Sequence, residues 1–265
     1  MDLIDTHCHL NFKSFKSDFF EVAKRSHDHG VKKIIIVGSD PNTSADALEI
    51  SKKINKLISC FAFVSVGIHA IHTDRVEFEK IEKLAEDPEV VAIGESGLDF
   101  YHDKGHKTEN EQIELFKKHI ELALKIDKPL IIHNREADEK VREVVGEFPK
   151  LKQAVFHCFS TDHHMATWAI EHGFYLSFTG NITYGNKKIK KAIERTPIER
   201  IMVETDAPYN IPEPLRSQGI KRCEPYMTSE VIKKIALIKG LDANELSKQI
   251  YQNSVEFFVL PRYGF

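Results

Sequence analysis

Short runs rich in β-branched and other apolar residues recur along this chain, and stretches with helical periodicity separate them. The runs are Leu3–Thr6, Lys33–Val37, Phe61–Val66, Val90–Gly94, Leu130–Ile132, Ala154–Phe156, Phe174–Phe178 and Ile201–Glu204. Near-continuously apolar strands that alternate with helices predict a parallel sheet covered by helices, either closed into a barrel or open and doubly wound. Eight such units favour the barrel, so we predict an α/β protein with the (β/α)8 TIM-barrel fold.

The helical stretches carry start and stop signals of their own. In the clearest of them, Glu109–Ile126, apolar residues recur at three- and four-residue steps, and Thr108 with Glu111 predicts a capping box at its start. The other predicted helices are Asp18–His29, Ser44–Ile58, Val76–Glu86, Ala137–Glu147, Asp162–His172, Lys187–Arg195, Thr228–Lys239 and a last one that begins at Asp242. Strand and helix therefore alternate throughout the chain.

Length and composition fit one barrel. The chain has 265 residues, of which 42% are hydrophobic, and TIM barrels of about 250 residues usually form one domain. No repeat, low-complexity tract or composition shift marks a linker. We therefore expect a single domain that spans residues 1–265.

The charge balance restricts the partners. Lys and Arg number 37 and Asp and Glu number 40, for a net charge of -3, so no global positive field attracts polyanions and any nucleic acid must be held locally. The first residues are acidic rather than basic, and no segment approaches the ~18 apolar residues of a membrane span. Four cysteines without a C-x-x-C pair are interpreted as reduced thiols. We expect a cytoplasmic protein with no membrane segment and no obligate protein partner.

Residues of metal-ligand type follow most of the apolar runs. They are His7, His9, His69, Glu95, His133, His157 and Asp206. In a parallel barrel the C-terminal ends of the strands share one face, where the active sites of this fold lie. A single histidine at a strand end is more often a hydrogen-bonded structural residue than a ligand. Their recurrence at successive strand ends, however, predicts one metal centre.

The alternation of side chains along a strand refines this prediction. His7 and His9 are two positions apart and project to the same side, whereas Cys8 projects to the other side, into the core. Asp5 shares the histidine side and is expected to orient an imidazole from behind, as metal-bound histidines commonly require. Cys158 is also interpreted as core packing rather than as a thiolate ligand.

The number of candidate ligands indicates two ions. Even without His69, four histidines with two carboxylates exceed the three or four protein ligands of one catalytic zinc, so we predict a pair of divalent ions bridged by Glu95. Mixed imidazole and carboxylate ligands suit Zn, Mn or Fe, whereas Mg usually prefers oxygen ligands. The identity of the two ions stays open among Mg, Mn and Zn. Such a pair, about 3.5–4 Å apart, activates a water and neutralises phosphate oxygens, which suits hydrolysis of phosphodiesters.

Six motifs carry a resemblance to a known family. They are D-T-H-C-H-L (Asp5–Leu10), V-G-I-H (Val66–His69), I-G-E-S-G-L-D-F-Y (Ile93–Tyr101), I-I-H-N-R-E-A (Ile131–Ala137), H-C-F-S (His157–Ser160) and V-E-T-D-A-P-Y (Val203–Tyr209). In this order, and over nearly the whole chain, they resemble the signatures of the TatD family of metal-dependent deoxyribonucleases. The resemblance implies a TIM-barrel nuclease that typically trims DNA from the 3′ end.

The resemblance also implies roles for individual residues. The implied metal ligands are His7, His9, Glu95, His133, His157 and Asp206. Asp206 would serve in addition as the general base, so that Asp206 and Glu95 are the predicted catalytic residues. The chain departs from the family at Ala70, where relatives usually have proline, and at Cys223, where they usually have asparagine. Neither departure removes a ligand, and both concern the rim around the substrate.

Two strand-end residues are candidates for binding the substrate phosphate. Arg135 lies two positions beyond His133 on the same side of its strand, and its paired N–H donors suit a phosphate, although a salt bridge to Glu95 or Glu136 is an equal alternative. His69 is expected to bind substrate phosphate rather than metal.

The remaining candidates for substrate contact lie on loops or beside the metal ligands. Tyr101, His102 and Arg216 are candidates for stacking on or binding nucleic acid. Glu204 shares the parity of Asp206 and is assigned to the substrate contacts too. Residues 186–200 include six basic and two acidic side chains, which either guide a phosphate backbone or form the solvated face of a helix.

These observations lead to one functional hypothesis and two alternatives. The hypothesis is a 3′-5′ exonuclease for DNA, acting on single strands or 3′ ends, in which water activated by two metal ions attacks phosphorus. The first alternative is an amidohydrolase-type metal hydrolase that acts on an ester or amide, such as aminoacyl-tRNA or a small molecule. Those enzymes often have a carbamylated lysine where this chain has Glu95. The second, a binding module with an idle site, is disfavoured by the complete ligand set and the net charge of -3.

Overall fold

The computed structural model describes residues 1–74, 76–105 and 108–261. Eight parallel strands follow one another around a sheet in the order of the sequence, as predicted for a TIM barrel. The strands are β1 (Leu3–Cys8), β2 (Val31–Val37), β3 (Ala62–Val66), β4 (Val90–Asp99), β5 (Leu130–Arg135), β6 (Ala154–Phe156), β7 (Tyr175–Phe178) and β8 (Ile201–Val203). The predicted (β/α)8 fold is confirmed.

The first strand and the segment after the last strand meet at a narrow seam. A parallel bridge joins Cys8 to Ala207. On either side of this bridge the amide of Asp206 donates to the carbonyl of His7 at 2.9 Å, and the amide of His9 donates to the carbonyl of Ala207 at 2.8 Å. The seam therefore brings residues near position 7 beside residues near position 206.

Helices cover the outer face of the sheet. In the described part of the chain they are α1 (Phe19–Asp28), α2 (Pro41–Asn55), α3 (Phe78–Leu84), α4 (Glu109–Ile126), α5 (Asp138–Gly146), α6 (His163–Glu171), α7 (Lys187–Arg195), α8 (Thr228–Lys239) and α9 (Ala243–Phe257). Among the described helices, none has the length and apolar character needed to cross a membrane.

The starts of the helices can be compared with the capping and boundary signals in the sequence. Asp40 caps α2 by accepting hydrogen bonds from the amides of Asn42 and Thr43. The predicted capping box at Thr108 is wrong, because the Thr108 hydroxyl donates to Asp103 instead of accepting from the first turn of α4. The helix predicted at Val76–Glu86 is shorter than expected, because two residues at each end lie outside α3.

Strand β4 runs five residues further than the predicted Val90–Gly94 and carries two carboxylates along its end. The extension depends on Gly97, whose φ is +155°, and at which an added Cβ would lie 1.9 Å from the carbonyl oxygen of His133. Only glycine permits so close an approach of two backbones. The pairing of β4 with β5 thus continues to Asp99 and Arg135, and both strands reach the rim of the barrel.

A buried histidine on α4 makes the stability of the fold sensitive to acid. His119 accepts from the amide of Ile68 through Nε2 and therefore donates from Nδ1 to the carbonyl of Leu115, at 2.9 and 2.7 Å. Burial lowers the pKa of His119 from 6.5 to about 4. Its contribution to stability is therefore complete above pH 6.5 and is lost as the pH falls towards 4.

We expect the free energy of unfolding to fall by about 2 kcal/mol between pH 7 and pH 5 on account of this group alone, at about 1.4 kcal/mol per pH unit below 6.5. Urea unfolding of the wild type and of His119→Gln at both pH values measures the effect. The decrease should be smaller in the variant by about this amount, and equal decreases would contradict the assignment.

Candidate metal centre

A cavity of about 670 Å³ opens at the carboxyl end of the barrel, and most of the predicted ligands line it. The lining includes His9, His69, Glu95, His133, His157 and Asp206. His7 lies directly beneath the cavity and is fully buried. Residues up to 199 positions apart in the sequence therefore meet in one place, because each follows a different strand of the same barrel.

One group of ligand atoms surrounds the end of β1. The Nε2 atoms of His7 and His9 lie 3.3 Å apart. Asp206 Oδ1 lies 3.4 Å from His9 Nε2 and 4.0 Å from His7 Nε2. The Glu95 carboxylate completes the group, with its oxygens 3.6 Å from His7 Nε2 and 3.7 Å from His9 Nε2.

A second group of ligand atoms also includes Glu95. His157 Nε2 is 3.0 Å from Glu95 Oε2 and 3.0 Å from His133 Nδ1. The ligand atoms of Glu95, His133 and His157 all lie within 4.8 Å of one another, as do those of His7, His9 and Glu95. Glu95 therefore belongs to both groups, which is the position of a bridging carboxylate.

These separations fit divalent ions. Ligand atoms held about 2.0–2.2 Å from a common ion in a tetrahedral or octahedral site are about 3–3.5 Å apart. Several of the nitrogen and oxygen separations fall in or close to this range. Imidazole nitrogens that face one another at 3.0–3.3 Å also share few protons, so a cation between them satisfies their lone pairs.

For His9 and His133, hydrogen bonds from behind set which ring nitrogen faces the other ligand atoms. His9 Nδ1 lies 2.9 Å from the carbonyl of Val37, which fixes the proton there and leaves the lone pair on Nε2. His133 Nε2 donates to Asp99 at 3.0 Å, which leaves the lone pair on Nδ1. His157 Nδ1 lies 3.4 Å from Glu204 Oε1. In the described part of the chain, the buried His7 Nδ1 has no hydrogen-bond partner.

Asp99 is the functional candidate that the sequence analysis missed. Its carboxylate accepts hydrogen bonds from both His133 and His102, at 3.0 and 2.9 Å. The available signal was parity, since Asp99 lies four residues beyond Glu95 and shares its side of a strand. The predicted strand ended at Gly94, so this carboxylate was assigned to no element.

The structure places Glu204 behind the ligands rather than at the substrate. Its carboxylate is buried, accepts from the amide of Cys158 at 2.7 Å and faces His157, and it is not part of the cavity lining. The assignment of Glu204 to the substrate contacts is therefore corrected to a position beneath His157. Strand parity predicted the side of the sheet but not the depth of the side chain.

Two further expectations about buried polar groups are wrong. Asp5 orients no imidazole, because its carboxylate accepts from the amides of His7 and Thr205 and from the Thr205 hydroxyl, and so ties β1 to the end of β8. Burial raises the pKa of Asp5 to about 8. Cys158 lies in the cavity wall near Asn181 and not in the core, because its φ of 44° turns the chain after His157. Cys8 packs in the core as predicted.

Burial and charge act in opposite directions within the site. Burial alone would raise the pKa of Glu95, but the imidazoles of His69 and His157 outweigh it and hold that pKa well below its usual value. Burial lowers the pKa of His7 strongly and that of His69 to about 3. At His157 burial is outweighed by the carboxylates of Glu95 and Glu204, which raise the pKa well above its usual value. The site thus contains an ionised buried carboxylate among closely packed imidazoles, and a divalent cation suits this set of ligands.

The rim contains some of the predicted substrate residues. Arg135 lines the cavity, and its guanidinium stacks on the ring of Tyr101 at 4.0 Å instead of pairing with Glu95 or Glu136. His102 also lines the cavity, beside Asp99. Arg216 lies over Tyr184 at 4.5 Å and is not part of the lining. Tyr101 therefore positions Arg135 at the cavity mouth.

A parallel barrel with histidine and carboxylate ligands grouped at its carboxyl end defines the class of metal-dependent hydrolases. The sequence profile of the TatD related DNase family matches residues 4–259. The chain belongs to this TatD family, as the motifs predicted.

The relatives agree with this assignment. The metal-dependent hydrolase YabD of Bacillus subtilis is 34% identical, over 97% of this chain and 98% of its own. The 3′-5′ ssDNA/RNA exonuclease TatD of Erwinia tasmaniensis is 29% identical, over 97% of this chain and its full length. The crystal structure of YJJV, a TatD homologue of Escherichia coli, superimposes with a TM-score of 0.88 at 25% identity and covers 98% of this chain and 99% of its own.

Asp99→Asn is expected to weaken metal binding about 10- to 100-fold, the usual cost of removing a carboxylate that orients a ligating histidine. The neutral amide holds the proton on His133 Nε2 less firmly, so the lone pair on Nδ1 is presented less often. Competition with a chelating dye for Mn²⁺ or Zn²⁺ measures the affinity. His102→Ala serves as the control, because it removes the other imidazole from Asp99 and leaves His133 in place; equal affinities for Asp99→Asn and the wild type would refute the role.

Proposed function

We propose that this protein is a deoxyribonuclease that uses two divalent ions to remove nucleotides from the 3′ end of single-stranded DNA. The observation that carries the proposal is the pair of ligand groups that share Glu95 at the floor of an open cavity. Two ions about 4 Å apart are typical of enzymes that displace a phosphodiester oxygen in line. The activity named for the relative from Erwinia tasmaniensis supports the same direction of cleavage.

Each of the two ligand groups would hold one ion. His7, His9, Glu95 and Asp206 would hold one ion, and Glu95, His133 and His157 would hold the other. When bound, such ions lower the pKa of water and neutralise charge on the phosphate. Their identity as Mg, Mn or Zn is part of the proposal, and the imidazole-rich ligand set favours Mn or Zn.

In the proposed mechanism, Asp206 accepts a proton. Its Oδ1 points towards His7 and His9, while its Oδ2 accepts from the side-chain amide of Asn210 at 2.9 Å. Asn210 therefore holds the carboxylate in one orientation at the edge of the cavity. In the proposed reaction Asp206 removes the proton from the attacking water and acts as general base.

In the proposed mechanism, His69 and Arg135 hold the phosphate. His69 Nδ1 accepts from the amide of Ile71 at 3.1 Å, so the ring proton is on Nε2, which is free to donate. The low pKa of His69 keeps the ring neutral, and a neutral ring still donates this hydrogen bond. Arg135 presents its guanidinium from the stack on Tyr101, and its paired N–H donors suit a phosphate.

The alternative of an amidohydrolase acting on an ester or amide, such as aminoacyl-tRNA, finds less support. No lysine occurs among the described residues that line the cavity, and the bridging position is occupied by Glu95. The proposed reaction therefore needs no carbamylated lysine.

The proposed function is tested by incubating the purified protein with end-labelled single- and double-stranded DNA and RNA in Mg²⁺, Mn²⁺ or Zn²⁺, and sizing the products. A ladder that shortens from the 3′ end of single-stranded DNA is expected. Failure to cleave any polynucleotide with any of these ions would refute the proposal and favour the ester or amide alternative.

A further inference from the structure

A second, larger groove of about 990 Å³ adjoins the metal cavity. The two share Phe12, Ser39, His72 and Tyr209 in their linings, so they are continuous. We call the second depression the lysine groove and define it by Phe12, Lys13, Lys16, Asp46 and Tyr209. It runs from the metal cavity over the loop after β1 and the start of α2.

Two aromatic side chains lie where the cavity passes into the lysine groove. Phe12 stacks on the ring of His9, with centroids 4.2 Å apart and an angle of 12° between the planes, so one face of Phe12 is fixed against a metal ligand. Tyr209 is 55% exposed although its backbone is held, because its amide donates to the carbonyl of Asp206 at 2.9 Å. An exposed ring on a fixed backbone is a suitable surface for stacking a nucleobase.

The lysine groove contains cations that are not neutralised. Lys13 and Lys16 are exposed, and neither forms an ion pair with any residue that the structure describes. Of the other charged groups in the lining, Lys53 pairs with Glu49, and Asp40 accepts hydrogen bonds from the first turn of α2. With Asp46, the lining carries three carboxylates and three lysines, and among the described residues Lys13 and Lys16 are the exposed cations of the groove that stay outside ion pairs.

Unlike the lysine groove, whose charges balance, another groove that adjoins the cavity carries a net negative charge. It shares Arg135 with the cavity and is lined by six carboxylates, among them Glu136 and Glu139, against three cations, Arg135, Lys140 and Lys188. Lys140 is already paired with a carboxylate of the same groove, Glu143. We call this the acidic groove. A polyanion that leaves the metal cavity is repelled on this side and attracted on the side of Lys13 and Lys16.

We propose that the lysine groove binds the single-stranded polynucleotide on the 5′ side of the bond to be cleaved. Tyr209 and Phe12 would stack on bases, and Lys13 and Lys16 would contact successive phosphates. The proposal rests on the proposed function, because an enzyme that removes the 3′-terminal nucleotide must leave the rest of the strand outside the metal cavity. If the groove binds the strand in this way, the enzyme prefers long strands over short ones.

The test compares three variants with the wild type. They are Lys13→Ala combined with Lys16→Ala, Tyr209→Ala, and, as a control with the same change of charge, Lys188→Ala combined with Lys191→Ala on α7. Binding of fluorescein-labelled dT12 is measured by anisotropy in EDTA over a salt series. Turnover is measured on dT12, on a thymidine dinucleotide and on bis(p-nitrophenyl) phosphate, which is too small to reach the groove.

We expect Tyr209→Ala and the Lys13/Lys16 variant each to bind dT12 about tenfold more weakly, as is typical for the loss of one stacked base or of a few phosphate contacts. The slope of log affinity against log salt should fall by about 0.7 for each lost phosphate contact. The KM for dT12 should rise towards that for the dinucleotide, while turnover of bis(p-nitrophenyl) phosphate stays at the wild-type rate. The control variant should match the wild type throughout.

Unchanged binding and KM in both groove variants would overturn the proposal. A loss confined to the Lys188/Lys191 variant would also overturn it, and would place the strand over the acidic groove instead. A different result is expected if the proposed function itself is wrong. In that case the wild type itself hydrolyses no phosphodiester with any metal ion, whatever its affinity for dT12.

Discussion

Glu95→Gln is expected to reduce metal-dependent cleavage of single-stranded DNA by at least about a thousandfold, because several kcal/mol of charge stabilisation in the transition state are lost and each 1.36 kcal/mol is tenfold in rate. The Glu95 carboxylate lies 3.0–3.7 Å from the Nε2 atoms of His7, His9 and His157, and so is common to both ligand groups. A neutral amide cannot bridge two cations. The bound metal should therefore fall from two ions per chain towards one or none, as measured by elemental analysis after gel filtration.

The matched control is Glu114→Gln, the same chemical change on the exposed face of α4. It should retain wild-type cleavage and metal content. Circular dichroism of both variants should match the wild type, since the barrel wall around Glu95 is formed by backbone pairing of β4 with its neighbours. Full activity of folded Glu95→Gln would contradict both the bridging role and the two-ion assignment.

Asp206→Asn is expected to lower the rate of cleavage about a hundred- to ten-thousandfold, which is the usual range for general base catalysis. Asp206 faces His7 and His9 through Oδ1, and asparagine keeps an oxygen for that position, so at least one ion should remain bound. What the amide cannot do is accept a proton from water. Single-turnover cleavage of a 3′-labelled strand, together with metal content, separates loss of chemistry from loss of the ion.

Asn210→Ala gives a useful comparison, because it removes the amide that orients Asp206 and leaves the carboxylate in place. A smaller loss, of about tenfold, is expected for a hydrogen bond to a charged group. An Asp206→Asn enzyme that cleaves at the wild-type rate with both ions bound would exclude Asp206 as the base.

The sequence was most informative where a residue type recurred at a structural period. Eight apolar runs predicted eight strands, and the histidines and carboxylates that follow them predicted a shared cavity, because a parallel barrel places all of those positions on one face. His7 and His9 illustrate the local form of the argument: a spacing of two on a strand was enough to place both rings on one side, with Cys8 in the core.

The sequence was least informative about contacts between distant segments. Asp5 and Glu204 have the parity of ligands, but one binds the backbone at Thr205 and the other the backbone at Cys158. These partners depend on how β1, β6 and β8 sit against one another. Asp99 was missed for a related reason, since the length of β4 depends on the approach of its Gly97 to a neighbouring strand and not on its own composition.

The seam between Cys8 and Ala207 lies between two ligands from opposite ends of the chain, His7 and Asp206. An ion bound there would connect β1 with the segment after β8. Because the ion binds only when this junction is formed, its binding stabilises the closed barrel, and tighter binding stabilises it more. During synthesis the complete set of ligands cannot assemble until residue 206 has been made. Binding of metal by the complete set of ligands therefore requires that the barrel has closed.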